Sequence, residues 1–284
     1  MMGRIYLGRT ARRRIGRSVA FVVLIGVAAL FTAPFLFMIV SSLKSRAQLY
    51  GGGPIWVPIP AVWRNYIDAF LFLPFDLFFR NTMIVCVLTV LGTLISSSMV
   101  AYAFARIRFP GRDILFIVLI SKMMMPWAVR IIPVYLMWKR FGLTNTLVPL
   151  FAPYWLGGAL YVFLLRQFFR TIPEELSDAA RIDGCSEIGI WLRIIMPLSG
   201  PALSVIGIFS FLSEWNDFIR PLIYVNETEK FTMALGLRMF MQMQGGNWSH
   251  LMAAAVSMSL PAILLFAFTQ RYMVQGVTLT GMKG

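Results

Sequence analysis

The sequence predicts an all-α polytopic membrane protein with six transmembrane helices. Three observations carry this. Hydrophobic residues make up 58% of the 284 residues and charged residues 13%, against roughly 45–50% and about 25% in soluble domains. The mean hydropathy is +0.74. The apolar residues gather in long runs, each close to the roughly 20 residues needed to cross a 30 Å hydrocarbon core. This composition excludes a water-soluble enzyme of this length, a disordered chain and a disulfide scaffold.

The six runs cover 19–41, 82–104, 114–137, 147–165, 201–223 and 251–270. A basic stretch with Arg4, Arg9, Arg12, Arg13, Arg14 and Arg17 precedes the first run. That run exceeds the 7–15 apolar residues of a secretory signal, and no A-x-A site follows, so it reads as a retained helix. Residues 42–80 then read as an outer loop with Gly51-Gly52-Gly53-Pro54 and Pro58-Ile59-Pro60, and 105–113 as a short inner loop. Pro149, Pro153, Gly157 and Gly158 interrupt the fourth run. Membrane helices tolerate such residues where neighbours satisfy the freed backbone groups. Residues 166–200 form a long inner loop and 224–250 an outer one. The organisation is thus a cytoplasmic N-terminus (1–18), a first helix (19–41), an outer loop (42–80), a five-helix core (81–270) and a C-terminal tail (271–284).

The net charge of +14 fits either nucleic-acid binding or positive-inside orientation. The positions decide. Fifteen of the 26 Lys and Arg residues lie on the side holding both termini, nine on the other, and Lys122 and Arg130 within the third run. Both termini are expected in the cytoplasm, and no nucleic acid is expected as a partner. Cys86, Cys185 and His250 supply no metal-ligand spacing, and there is no GxxxxGK[ST] loop. No catalytic site, metal or cofactor is expected on this chain.

The loop 166–200 has the punctuation of two short helices. Thr171 reads as an N-cap, Pro173 sits in the first turn, and Glu174 and Glu175 face the positive end of the helix dipole. Gly184 is a stop, and Ser186 caps a second helix ending before Pro197. Leu176, Ala179 and Ala180 fall at i, i+3, i+4 and form one apolar face. That face suits either the membrane interface or a groove on a partner protein.

Asp178-Ala179-Ala180, then Gly184 after three residues, Ile194 after nine more, and Met196-Pro197 after another resemble the loop signature of permease subunits of ABC importers. Asp replaces the usual Glu, and Met the usual Leu. Ser42-Leu43-Lys44, Ala101-Tyr102-Ala103-Phe104-Ala105-Arg106, Phe109-Pro110-Gly111-Arg112, Ile132-Pro133-Val134-Tyr135, Gly142 to Thr146, Arg166 to Phe169, Trp215-Asn216-Asp217-Phe218, Met252 to Ala255, Gln270-Arg271-Tyr272 and Gly281-Met282-Lys283-Gly284 extend the likeness. They narrow it to the maltose-type carbohydrate importers. The resemblance implies a type I ABC importer permease fold with a cytoplasmic coupling helix, in a bacterial inner membrane. It implies a second homologous permease, two ATPase subunits carrying ATP and Mg, and an extracytoplasmic solute-binding protein. It also implies that Glu174, Glu175, Asp178, Ala179, Ala180, Asp183, Gly184, Ile194 and Pro197 couple to the ATPase, with Met282-Lys283-Gly284 reaching toward the same interface. The alternative is a stand-alone secondary transporter or channel, which needs repeats or broken helices around a midplane site.

Ionisable groups inside spans line a cavity or pair. Along straight helices, Arg130 lies about 25 Å from the inner end, and Glu214 and Asp217 about 20–24 Å. Arg130 is therefore expected to pair with these carboxylates, and Asp217 is also one turn from Arg220. Lys122, about 13 Å up, has no carboxylate at its depth. Two readings stand for it: facing a water-filled pathway, where its ammonium binds an acidic sugar or organophosphate, or snorkelling or pairing with a partner permease. Trp215 and Asn216 are candidate sugar contacts, with helix packing the favoured role. Met123-Met124-Met125, Met239, Met241 and Met243 read as adaptable packing, and Ser96-Ser97-Ser98 as a close helix contact.

Overall fold

The computed structural model describes residues 9–52, 56–243 and 247–280, with side chains from 16 to 270 within those limits. Arg4, Gly53-Pro54 and Met282-Lys283-Gly284 lie outside the described residues.

Among the described residues, four helices are long and apolar enough to cross a membrane, and two further pairs bent at a short break bring the number to six if each pair counts as one span. The chain divides into two units, Met1–Phe72 with Gln244–Ser257, and Leu73–Met243 with Met258–Gly284.

In the first unit, α1 (Arg9–Ser42) leaves its apolar window within Gly16–Ser42 unburied on every side, as a lipid-facing helix does. The chain then turns into α2 (Arg46–Tyr50), started by a capping box in which Ser45 and Gln48 bond each other's backbone amides. From α3 (Arg64–Phe72), the Asn65 amide donates to the carbonyls of Ser42 at 2.8 Å and Lys44 at 2.9 Å. Carbonyls left open where α1 ends are thereby satisfied. Residues 42–80 are therefore largely helical rather than an open loop.

The second unit is built on α4 (Phe75–Arg106). It starts seven residues before the predicted run because Phe75 and Phe78 bury on one face while Asp76 and Arg80 point to solvent. Its buried stripe is rich in small and hydroxyl residues, among them Thr89, Gly92, Thr93, Ser97, Ser98 and Ala101. Such residues let helices approach closely. A Cβ at Gly92 would lie 2.5 Å from the Trp155 ring.

The third span is not one helix. The segment α5 (Arg112–Ser121) runs into a 3-10 turn, Lys122–Met124. The chain then bends by 101° before α6 (Trp127–Arg140). Pro126, lacking an amide hydrogen, sits at the bend. The fourth span is interrupted where its prolines and glycines foretold. It comprises α7 (Val148–Phe151), a 3-10 segment to Leu156, Gly157 at φ +80° and α8 (Ala159–Phe169). Its freed groups find partners on α4: Ser96 Oγ donates to Tyr154 O and accepts from Gly157 N, and Ser97 Oγ accepts from Gly158 N. The Ser96-Ser97-Ser98 contact is thus a hydrogen-bonded one.

In the inner loop, α9 spans Glu175–Ile182. Thr171 is not its cap: that hydroxyl donates to Phe168 O at 2.7 Å, and Glu174 occupies the cap position without a side-chain bond. Gly184 stops the helix at φ +77°. Ser186 caps α10 (Glu187–Ile190), its Oγ accepting from Gly189 N at 3.2 Å. The second helix does not end before Pro197. It continues through a π-turn (Trp191–Ile195) into α11 (Met196–Leu198). The wider π-turn comes where Pro197 cannot donate to the preceding turn. An 82° bend then leads into α12 (Gly200–Trp215), and after another break come α13 (Ile219–Tyr224), α14 (Met233–Met243) and α15 (Trp248–Thr280). The helix α15 carries residues 271–280 of the predicted tail.

Candidate functional sites: the inner-loop helix and the charged cavity

The inner loop is anchored from below by a core. Ile190 and Ile195 bury with Ala101, Tyr102, Val162, Leu165 and Phe169, and Ala180, Cys185 and Ile194 pack against them. A chain of polar contacts adds direction. Tyr102 donates to Glu187 Oε2 at 2.5 Å, Arg181 Nε donates to Glu187 Oε1 at 2.8 Å, and Arg181 Nη1 donates to Asp178 at 2.7 Å. The Arg181 guanidinium and the Tyr102 hydroxyl hold the Glu187 carboxyl below the usual carboxylate range, and Glu187 raises Arg181 in turn. Sequence reasoning missed this clamp, although Tyr102 lies within a quoted motif.

The clamp fixes which side of α9 faces away. Ala180 turns inward, so the predicted face of Leu176, Ala179 and Ala180 is split. Ser177 and Ala180 form the inner side, while Leu176, Ala179 and Ile182 stand outward, Ile182 being 87% exposed. Glu174, Glu175, Asp178, Asp183 and Gly184 are exposed on the same segment, and Pro197 is exposed on α11. The result is an apolar ridge ringed by carboxylates and tied by packing and hydrogen bonds to the end of α4.

The second site is a cavity of about 590 Å³. Lys122, Trp127 and Arg130 line it from the bent third span, Tyr154 and Tyr161 from the interrupted fourth, and Asp217, Arg220 and Tyr224 from the far end of the fifth. The expected pairing of Arg130 with Glu214 and Asp217 does not occur. Arg220 takes both carboxylates: Nη2 lies 2.6 Å from Glu214 Oε1 and Nε 2.6 Å from Asp217 Oδ2, with Nη1 donating to Leu150 O. Depth counted along a straight third helix fails at the 101° bend. Glu214 and Arg220, six apart, meet because the helix breaks between Trp215 and Ile219.

Lys122 and Arg130 have no ion-pair partner among the described residues, and Arg130 Nε is buried without a hydrogen bond. Trp215 is not on the cavity. Its Nε1 donates to Met258 O at 3.1 Å, and its ring stacks on Phe211. Asn216 donates to Leu212 O and also lies off the cavity. Trp215 has the packing role favoured for it, whereas Asn216 is exposed and bonds only back to its own helix, with no contact to another helix among its described hydrogen bonds. The aromatic lining was missed; its only sequence signal was the interruption around Tyr154.

Residues 2–279 match the family model described as the binding-protein-dependent transport system inner membrane component. The chain belongs to this family. It is therefore a multi-pass permease component of a binding-protein-dependent importer and not an enzyme on its own.

The permease is 33% identical over 263 residues to the arabinooligosaccharides transport system permease protein AraQ of Halalkalibacterium halodurans, covering 91% of this chain and 93% of that one. It is 31% identical over 252 residues to the diacetylchitobiose uptake system permease protein DasC of Streptomyces coelicolor, covering 88% and 91%. Its fold superposes with a TM-score of 0.83 on a chain of a bacterial ABC transporter involved in import of the acidic polysaccharide alginate, at 22% identity and covering 95% of this chain and all of that one. The expected permease fold is borne out.

Proposed function

We propose that the permease forms half of the membrane pathway of an ATP-driven saccharide importer, with both termini in the cytoplasm. A second homologous permease completes the pathway. Two ATPase subunits, which carry ATP and Mg, receive the outward ridge of α9. A solute-binding protein delivers substrate from outside. The observation that carries the coupling role is that ridge: Leu176, Ala179 and Ile182 exposed on a helix that Tyr102 and Glu187 lock to the long helix α4. An apolar helix face of this kind suits a protein groove. Asp178 and its neighbouring carboxylates then meet basic groups around that groove.

The cavity supports a saccharide bearing an acidic group. Aromatic side chains at Trp127 and Tyr161 suit a sugar ring, and Lys122 and Arg130 supply cationic donors while Asp217, the carboxylate of the lining, is taken by Arg220.

The test is uptake into liposomes by the reassembled importer. Asp178→Lys is expected to leave ATP hydrolysis running without uptake, and intact coupled transport in that variant would remove the docking role. Lys122→Met is expected to lower uptake of acidic saccharides selectively. Unchanged uptake across acidic and neutral saccharides would remove the pathway role.

A further inference from the structure

A second concave surface lies on the same end of the bundle as the inner loop, beside the start of α9, with which it shares Glu174, and apart from the charged cavity. It encloses about 510 Å³ where the ends of α4 and α8 meet the start of α5. Its charged lining is Arg106, Arg108, Arg112, Arg166, Arg170 and Glu174. Five guanidiniums meet two carboxylates, Glu174 in the lining and Asp113 beside Arg112 and Arg166, which leaves an excess of positive charge.

Two of the arginines are held in place by backbone. Arg106 is buried, and its Nη2 donates to Phe169 O at 2.7 Å and Ile172 O at 2.5 Å. Its Nε is buried with no partner. Arg166 donates from Nε to Phe104 O at 3.2 Å and lies 3.9 Å over the Phe116 ring. The nearest carboxylate to Arg166 is Asp113, at 3.9 Å, which also serves Arg112 at 3.3 Å. Arg108 and Arg170 have no ion-pair partner among the described residues. A smaller hollow lined by Arg108, Arg112 and Asp113 lies at the first turn of α5, where the Asp113 carboxylate already meets the helix dipole.

Orientation by the positive-inside rule needs positive charges near a membrane end, but not their convergence on one hollow. Like charges brought together beside an apolar bundle repel unless an anion joins them. Guanidinium forks match phosphate oxygens bidentately. Basic pockets between membrane helices on the cytoplasmic side suit phospholipid headgroups. We propose that this arginine hollow is a phosphate-binding site, occupied by the headgroup of an anionic phospholipid or by a free phosphate group.

The test uses the assembled importer in nanodiscs of phosphatidylcholine alone, of phosphatidylcholine with phosphatidylglycerol, or of phosphatidylcholine with inorganic phosphate added. Native mass spectrometry counts what each complex retains. Preferential retention of phosphatidylglycerol, weakened about fivefold for each of Arg108→Gln and Arg170→Gln and only partly restored by Arg108→Lys with Arg170→Lys, which keep the charge but lose the fork, supports a lipid occupant. The same variant dependence for inorganic phosphate, without lipid preference, supports a free phosphate. Retention equal to that of phosphatidylcholine in every arm would overturn the proposal. So would loss of the ATPase from the Arg108→Gln and Arg170→Gln complexes with phosphate and lipid retention unchanged, because the arginines would then be a protein contact.

Discussion

Replacing Arg220 with Met should destabilise the permease more than any single change to its carboxylate partners. Glu214 is 1% exposed and Asp217 16%, while Arg220 itself is a quarter exposed. Removing the cation strands a buried carboxylate, which costs about 3–5 kcal/mol. The Leu150 carbonyl loses its donor as well, at about 1 kcal/mol. The partial exposure of Arg220 argues for the lower half of that range, so the melting temperature should fall by on the order of 10 °C. Glu214→Gln leaves Arg220 bound to Asp217 at 2.6 Å and should cost less, about 1.5 kcal/mol. The double variant Glu214→Gln with Arg220→Met removes the fully buried stranded charge and leaves only the less buried Asp217 carboxylate without its cation. It should be more stable than the sum of the two by about 1–3 kcal/mol. The assay is heating of the detergent-solubilised complex followed by fluorescence-detected size exclusion. An Arg220→Met complex as heat-stable as the parent, or strictly additive losses, would refute the reading that this triad holds the cavity wall.

Gly236 sits against Phe78, where a Cβ would lie 2.3 Å from the ring, so Gly236→Ala should cost about 1–3 kcal/mol, visible in the same heating assay. Gly184 ends α9 in the left-handed region; Gly184→Ala should strain that turn by about 1–2 kcal/mol and lower coupled uptake more than folded yield. The Glu187 carboxyl is depressed by Arg181 and Tyr102, so its stabilisation of the loop is present above the ordinary carboxylate range and is lost as pH falls through the depressed value. Protease nicking of the loop should therefore rise on acidification in the parent and be pH-independent, at the higher level, in Glu187→Gln.

Much of the fold was legible because membrane spans announce themselves by length and composition. The first and sixth runs became α1 and α15 with few surprises. Pro149, Pro153, Gly157 and Gly158 marked a real interruption. Gly184 and Ser186 punctuated the inner loop as their backbone chemistry requires. The inner-loop motif was the clearest functional signal, since a register of about twenty residues is specific in a way single residues are not.

What failed has a common cause. Periodicity gives angles around a helix axis but not the direction of that axis after a break. The bend at Pro126 undid the depth assigned to Arg130. The break after Trp215 let Arg220 reach Glu214, six residues away, which no continuous helix allows. Thr171 had the chemistry of a cap, but its hydroxyl bonded back to the preceding helix. Ala180 had the spacing of an outward face, but Ile190 and Ile195 drew it inward.

The broken third span has a consequence for the lipid around it. Its first half has 10 α-helical residues and 3 in a 3-10 turn, and its second has 14. Either half is therefore about 21 Å long, and neither alone bridges a hydrocarbon core of about 30 Å. Hydrophobic mismatch is built into the element that carries Lys122 and Arg130. Thinner or thicker bilayers act on a hinge between two short rods rather than tilting one long one. Acyl-chain length is thereby a physical input to the spacing of Lys122 and Arg130, the two cavity cations without an ion-pair partner among the described residues, independent of headgroup charge.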